Sequence, residues 1–180
     1  MNLIFRLFYL VIQYRFRKKL RFFEEAETPF RALPTDIDFN LHINNGIYLS
    51  LMDLGRFDLT FRNGLLKIAL KNKIYPLVAS QAIRYTRSIN LFEKFSIKTK
   101  VLGWDDRFFY LQQRFICKGK VSALAVVKAK FKQAGKGGIK PEEFVSLCKE
   151  DPTSPKLPHW VNEWIDSEEH AWQEIKESNF

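Results

Sequence analysis

The sequence predicts an α+β domain in which a curved antiparallel sheet wraps around one long central helix. Two observations carry that expectation. Apolar residues fall at helical spacing over one long stretch, at Tyr48, Leu51, Met52, Gly55 and Leu59, between the N-cap candidates Asn44 and Asn45 and the stop signal Asn63-Gly64. Beyond that stop the period changes to two, and four strand-like segments follow.

The elements divide 180 residues into an N-terminal apolar and basic helix (1–21), one core domain (22–133) and a linker with a C-terminal helical extension (134–180). Residues 1–21 hold the apolar run Leu7 to Ile12 and the cations Arg6, Arg15, Arg17, Lys18, Lys19 and Arg21, with no acid before Glu24. The run is short for a membrane span, and its basic residues follow the apolar ones, the reverse of a secretory signal. A helix lying on or shallowly inserted in a membrane surface is the expectation, held by apolar side chains and by anionic lipid; packing on its own domain or on a second subunit is the alternative. A strand over Glu25 to Leu33 ends at Pro34. The loop Thr35 to Ile43 leads into the central helix of about five turns. Leu77 to Ser88 and the aromatic-rich Arg107 to Cys117 read as strands. Phe95, Ile97, Thr99 and Val101 make a one-sided strand, as do Val121, Ala123, Ala125, Val127, Ala129 and Phe131, whose other face ends in Lys128, Lys130 and Lys132. Ala134 to Gly138 reads as a flexible linker, Pro141 as the start of a short helix, and Leu157 to Ser178 as a longer helix carrying Trp160, Trp164 and Trp172 against core or a second subunit.

Composition excludes several classes. Six of the nine net positive charges precede Glu24, leaving +3 for the rest of the chain, which is too little for a phosphate-backbone partner, so no nucleic acid is expected. Cys117 and Cys148 form no paired motif, and reduced thiols in a cytoplasmic setting, at the inner face of a membrane, are the expectation. His42, His159 and His170 are scattered, so neither a metal nor another cofactor is expected. Nucleophile-elbow, zinc-protease and phosphate-loop motifs are absent from the sequence.

One polar cluster remains. Asp38, Asn40 and His42 recur at every second residue just before the helix start. An extended loop would point the three side chains the same way. The helix start adds unpaired backbone N–H groups and a positive dipole end. Carboxylate, amide, imidazole and anion hole are what thioester attack requires, although Asp and Asn are also ordinary loop and cap residues.

The string TDIDFNLHINNGIY, residues 35–48, resembles the D-x-D-x-N-x-H-x-N-N-x-x-Y signature of hotdog-fold thioesterases, in their 4-hydroxybenzoyl-CoA thioesterase-like and acyl-acyl-carrier-protein thioesterase branches. With the helix and strands after it, the resemblance covers roughly residues 22–132. It implies that Asp38 is nucleophile or general base, that Asn40 and His42 support the attacking group or orient water, and that backbone N–H groups at Asn45 and Gly46 polarise the carbonyl. Asp36, Asn44 and Tyr48 would cap, brace and pack, with Asn44 and Tyr48 beside the substrate. It further implies an acyl-CoA or acyl-carrier-protein substrate and a homodimer or dimer of dimers. Arg84, Arg87, Lys98 and Lys100 are candidate partners for substrate phosphates or an acidic carrier. Two other readings are an enoyl-thioester hydratase of the same fold, whose D-x-N-P-x-H pattern includes a proline missing here, and a non-catalytic acyl carrier.

Overall fold

In the computed structural model, residues 2–178 are described, the side chains of Asn2 and Arg15 excepted. The chain runs α1 (Asn2–Gln13), β1 (Ala26–Arg31), α2 (Asn45–Arg62), α3 (Leu65–Lys71), β2 (Ile74–Tyr85), β3 (Lys94–Trp104), β4 (Phe109–Cys117), β5 (Lys120–Gln133), β6 (Gly137–Ile139), α4 (Pro141–Leu147) and α5 (His159–Glu177). The sheet is antiparallel throughout, in the order β1-β3-β4-β5-β2, with β6 added to β5. Pro29 lies in β1 and Pro76 in β2, the two strands that end the order. A proline lacks the donor an inner strand must give on both sides, so its place is an edge.

Alternation fixes which face is buried. Phe95, Ile97, Thr99 and Val101 of β3 and Ala123, Ala125, Val127 and Ala129 of β5 face inward, with Leu51, Met52 and Leu59 of α2 in the same core clusters. Each such aliphatic side chain contributes about 1.5–3 kcal/mol by leaving water. Gly55 lets the helix approach: a Cβ there would sit 3.0 Å from both Thr99 Oγ1 and Gln113 Nε2. Sheet curled around α2 is the hotdog arrangement.

Three departures from the sequence reading have physical causes. Ala134 to Gly138 is not a free linker: Gly135 and Gly137 take positive φ, and Gly137 begins β6 on β5. α3, hidden in a short apolar run, fills space between α2 and β2 through Leu65 and Ala69. Lys128, expected on a solvated face, is covered by α5, whose Glu168 accepts from its ammonium at 2.9 Å. α5 packs Val161, Trp164 and Ile165 on Leu102, Tyr110 and Val126, while Trp160 and Trp172 stay largely exposed.

The N-terminal cations also behave differently from a uniform basic patch. Arg6 donates to Asp36 at 2.6 Å, and Arg17 to Asp58 at 2.6 Å. Leu7 and Leu10 pack into the core beside Ile43, Ile47 and Leu51, so α1 is pinned along α2. Its other face presents Ile4, Phe5, Phe8, Val11 and Ile12 outward.

Candidate active site

The signature segment folds back on itself. Ile37 bridges Ile43, Asp38 N–H donates to the His42 carbonyl at 3.1 Å, and Leu41 N–H donates to the Asp38 carbonyl at 3.1 Å. Leu41 takes a φ of 60°, a left-handed turn position. The expectation of an extended loop is therefore corrected: Asp38 and His42 are paired ends of a tight turn, and Asn40 stands exposed at its tip. A chain reversing over five residues closes its own backbone hydrogen bonds, which an isolated extended loop would leave to water.

Each polar residue then has a definite place. Asp36 is buried, and its Oδ2 accepts from Leu33 N–H at 2.8 Å and from Arg6 at 2.6 Å, while its carbonyl accepts from Asn44 N–H at 2.8 Å. Asp38 is partly exposed; its Oδ1 accepts from Asn40 N–H at 2.9 Å and lies 3.7 Å from His42 Nδ1, too long for a direct hydrogen bond. Asn44 caps α2, its Oδ1 accepting from Gly46 N–H at 2.9 Å. Of the two amides at the helix start, Gly46 is thus occupied by the cap. Asn45 N–H has no hydrogen-bond partner among the described residues and stands at the positive end of the helix.

The other candidates separate. Tyr48 is core: its ring packs at 4.9 Å on Tyr85 and 4.7 Å on Phe115, and burial pushes its phenol up to about 12. Arg84 is exposed but neighbours Ile83 and Tyr85, which pack on the α2 side, so it points to the opposite face of the sheet. Arg87 is exposed in the loop after β2, which returns to the site where Asn90 bridges His42. Lys98 is drawn to Glu25 and Glu27, and Lys100 lies on the same inner strand. Both thiols are raised, Cys117 by burial and then Glu93, Cys148 by burial to about 11, and neither has thiolate character.

Three participants carried no local sequence signal. Arg6 holds Asp36 across 30 residues, the Tyr85 hydroxyl donates to the Asn45 carbonyl at 3.3 Å, and Ile43 N–H donates to the Ile89 carbonyl at 2.9 Å. All are long-range contacts that only the folded chain creates. No group of three or more His, Cys, Asp or Glu suited to a metal occurs among the described residues.

An antiparallel sheet curled around a central helix, with a carboxylate and an imidazole in the turn that leads into that helix, places the chain in the hotdog class. Comparison with known proteins agrees on the fold class. A profile of the thioesterase-like superfamily matches residues 32–165, and the chain belongs to that family. It is 35% identical over 146 residues to Protein THEM6 of Xenopus laevis, covering 81% of this chain and 69% of that one. It is 31% identical over 121 residues to a Saccharomyces cerevisiae protein named "Probable thioesterase", covering 65% of this chain and 52% of the other. Among solved structures, a Staphylococcus aureus protein in complex with CoA superposes with a TM-score of 0.62 at 15% identity, covering 80% of this chain and 96% of that one. Family membership supports thioester hydrolysis as the chemistry.

Proposed function

We propose that this protein hydrolyses acyl-CoA, or the equivalent acyl-carrier-protein thioester, with Asp38 as its catalytic carboxylate. The observation carrying the proposal is the placement of Asp38, facing His42 across a closed turn, in the loop that leads to the free Asn45 amide. Asp38 takes a proton from a water whose oxygen attacks the thioester carbonyl carbon, or attacks that carbon itself; the C=O π electrons move onto oxygen, and Asn45 N–H stabilises the oxyanion. Collapse restores the carbonyl and breaks the C–S bond, and the leaving thiolate takes its proton from the Asp38 carboxyl in the first case or from water in the second. When Asp38 itself attacks, water then cleaves the acyl-aspartyl anhydride and frees the acid. His42 orients the water, and Asn40 stands at the turn's open tip. Arg87, rather than Arg84, is the cation at the site's end of the sheet for the phosphates of CoA.

The rest of the surface extends the proposal. Among the described residues β2 ends the sheet with an unpaired edge, so a second copy adding its own edge strand there gives a homodimer or dimer of dimers. No described helix is long and apolar enough to cross a membrane, whereas α1 turns a row of large apolar side chains outward beside the exposed Lys18, Lys19 and Arg21. That combination suits the surface of an anionic bilayer.

Thiol release from an acyl-CoA panel by wild type and Asp38→Asn tests the chemistry. Loss of a general base or nucleophile costs about 10²–10⁴-fold in turnover. Retained turnover in the mutant refutes the role of Asp38; tight acyl-CoA binding by both proteins without turnover favours a carrier.

A further inference from the structure

Close packing leaves few voids larger than a water molecule in a protein interior. Between α2, α3, the sheet and α4, however, lies a cavity of about 240 Å³. Its walls are apolar, formed by Leu59, Leu65, Ala69, Val101, Phe109 and Phe131. Among the described residues, Asp53 and Arg56 of α2 are its only charged lining residues, and they neutralise each other, with Arg56 also donating to Gln113 Oε1 at 2.6 Å. The exposed side chains of Asp53, Phe57 and Val78 mark its mouth. An apolar space with one neutralised rim suits a hydrocarbon chain and offers nothing to a polar or ionised one.

The cavity and the site share α2, the site at its start and the cavity along its second half. Asn45, the exposed Leu49, Asp53 and Phe57 follow one another at i, i+4 along α2, and the last two line the cavity. Asn45 to Asp53 is eight residues, about 12 Å of helix. An extended chain advances about 1.2 Å per bond, so roughly ten bonds separate a carbonyl held at Asn45 from the mouth. The cavity itself has room for about eight water-sized groups, and a methylene is close to that size.

The cavity is closed by a residue outside the sheet-and-helix core. Phe144 of α4 is 1% exposed, stacks on Phe131 at 4.2 Å and meets Phe109 edge-on at 6.0 Å. We infer that the acyl group of the substrate is a long, unbranched chain of about sixteen to eighteen carbons, whose far end fills this cavity and stops against Phe144. The inference rests on the thioester being held at the start of α2.

Two variants and two readouts test it. Wild type is expected to favour sixteen- and eighteen-carbon acyl-CoA over eight-carbon by at least tenfold in kcat/KM. Phe144→Leu deepens the floor and moves the optimum two or more carbons longer. Val78→Phe narrows the mouth and lowers the ratio of sixteen-carbon to four-carbon turnover more than tenfold. Displacement of a fluorescent fatty acid by palmitate, measured in Asp38→Asn, reads the cavity without catalysis and should weaken at least tenfold in Val78→Phe. A flat chain-length profile, or a profile and palmitate affinity indifferent to Val78→Phe, overturns the inference. Retained turnover in Asp38→Asn with chain selectivity intact overturns only the catalytic assignment.

Discussion

Asp58→Ala is expected to be the most destabilising single change in the polar interior. Asp58 lies on α2 with 1% of its surface exposed. One carboxylate oxygen accepts from Arg17 at 2.6 Å; the other accepts from the buried Thr28 hydroxyl at 2.8 Å and from Arg62 at 3.4 Å. Breaking a buried ion pair costs about 3–5 kcal/mol, because the remaining charge stays desolvated. Two facts lower that figure. Arg17 is partly exposed and keeps the Glu27 carbonyl, and Arg62 keeps the Lys18 carbonyl at 2.9 Å through Nε. Alanine also returns about 0.5 kcal/mol of helix propensity. The orphaned Thr28 hydroxyl acts the other way, costing about 1–3 kcal/mol. The balance is a loss of about 2–4 kcal/mol, and a domain this size shifts by about 2–4 °C per kcal/mol, so Tm should fall by roughly 4–16 °C. Thermal unfolding followed by circular dichroism, with a urea titration to check that m is unchanged, measures it. Turnover per folded molecule should survive, since Asp58 lies thirteen residues, about 20 Å, along α2 from Asn45. A Tm within about 2 °C of wild type would show that the cluster is electrostatically neutral to folding, contrary to this reasoning.

Two further expectations concern pH and the membrane. Burial raises the Tyr48 phenol to about 12 in the fold, against roughly 10 when unfolded. The neutral form is therefore favoured in the fold, and its stabilising effect is complete below pH 10 and lost as pH rises from about 10 to 12. Urea midpoints at pH 8 and pH 11 should fall less in Tyr48→Phe than in wild type, and equal falls would remove Tyr48 as a cause. Phe8 is 66% exposed on α1, so Phe8→Glu should leave Tm within about 1 °C of wild type while reducing flotation with phosphatidylserine-containing vesicles severalfold. Unchanged flotation would release α1 from the membrane.

The sequence by itself determined the α+β class, the central helix and the inward faces of β3 and β5. These depend on period, capping and stop signals, which act between residues close in the chain, as at Asn44, Asn63-Gly64 and the run Phe95, Ile97, Thr99 and Val101. The signature around Asp38 was equally legible, because its residues are local. What only the tertiary structure decided is how those residues are arranged. Ile89, Asn90 and Tyr85 meet the turn and the helix start from across the sheet, and the turn closes on itself, so Asp38 faces His42 while Asn40 does not. Asn44 takes the Gly46 amide and leaves that of Asn45 free. Arg6 and Arg17, read as part of one basic patch, turn inward because Asp36 and Asp58 are buried and need counter-charges. α4 carries no clear sign that Phe144 ends a cavity, since the aromatic stack with Phe131 and Phe109 joins three elements. Periodicity reports which side of an element is apolar; it says nothing about which distant residue that side will meet, and site geometry is made of such meetings.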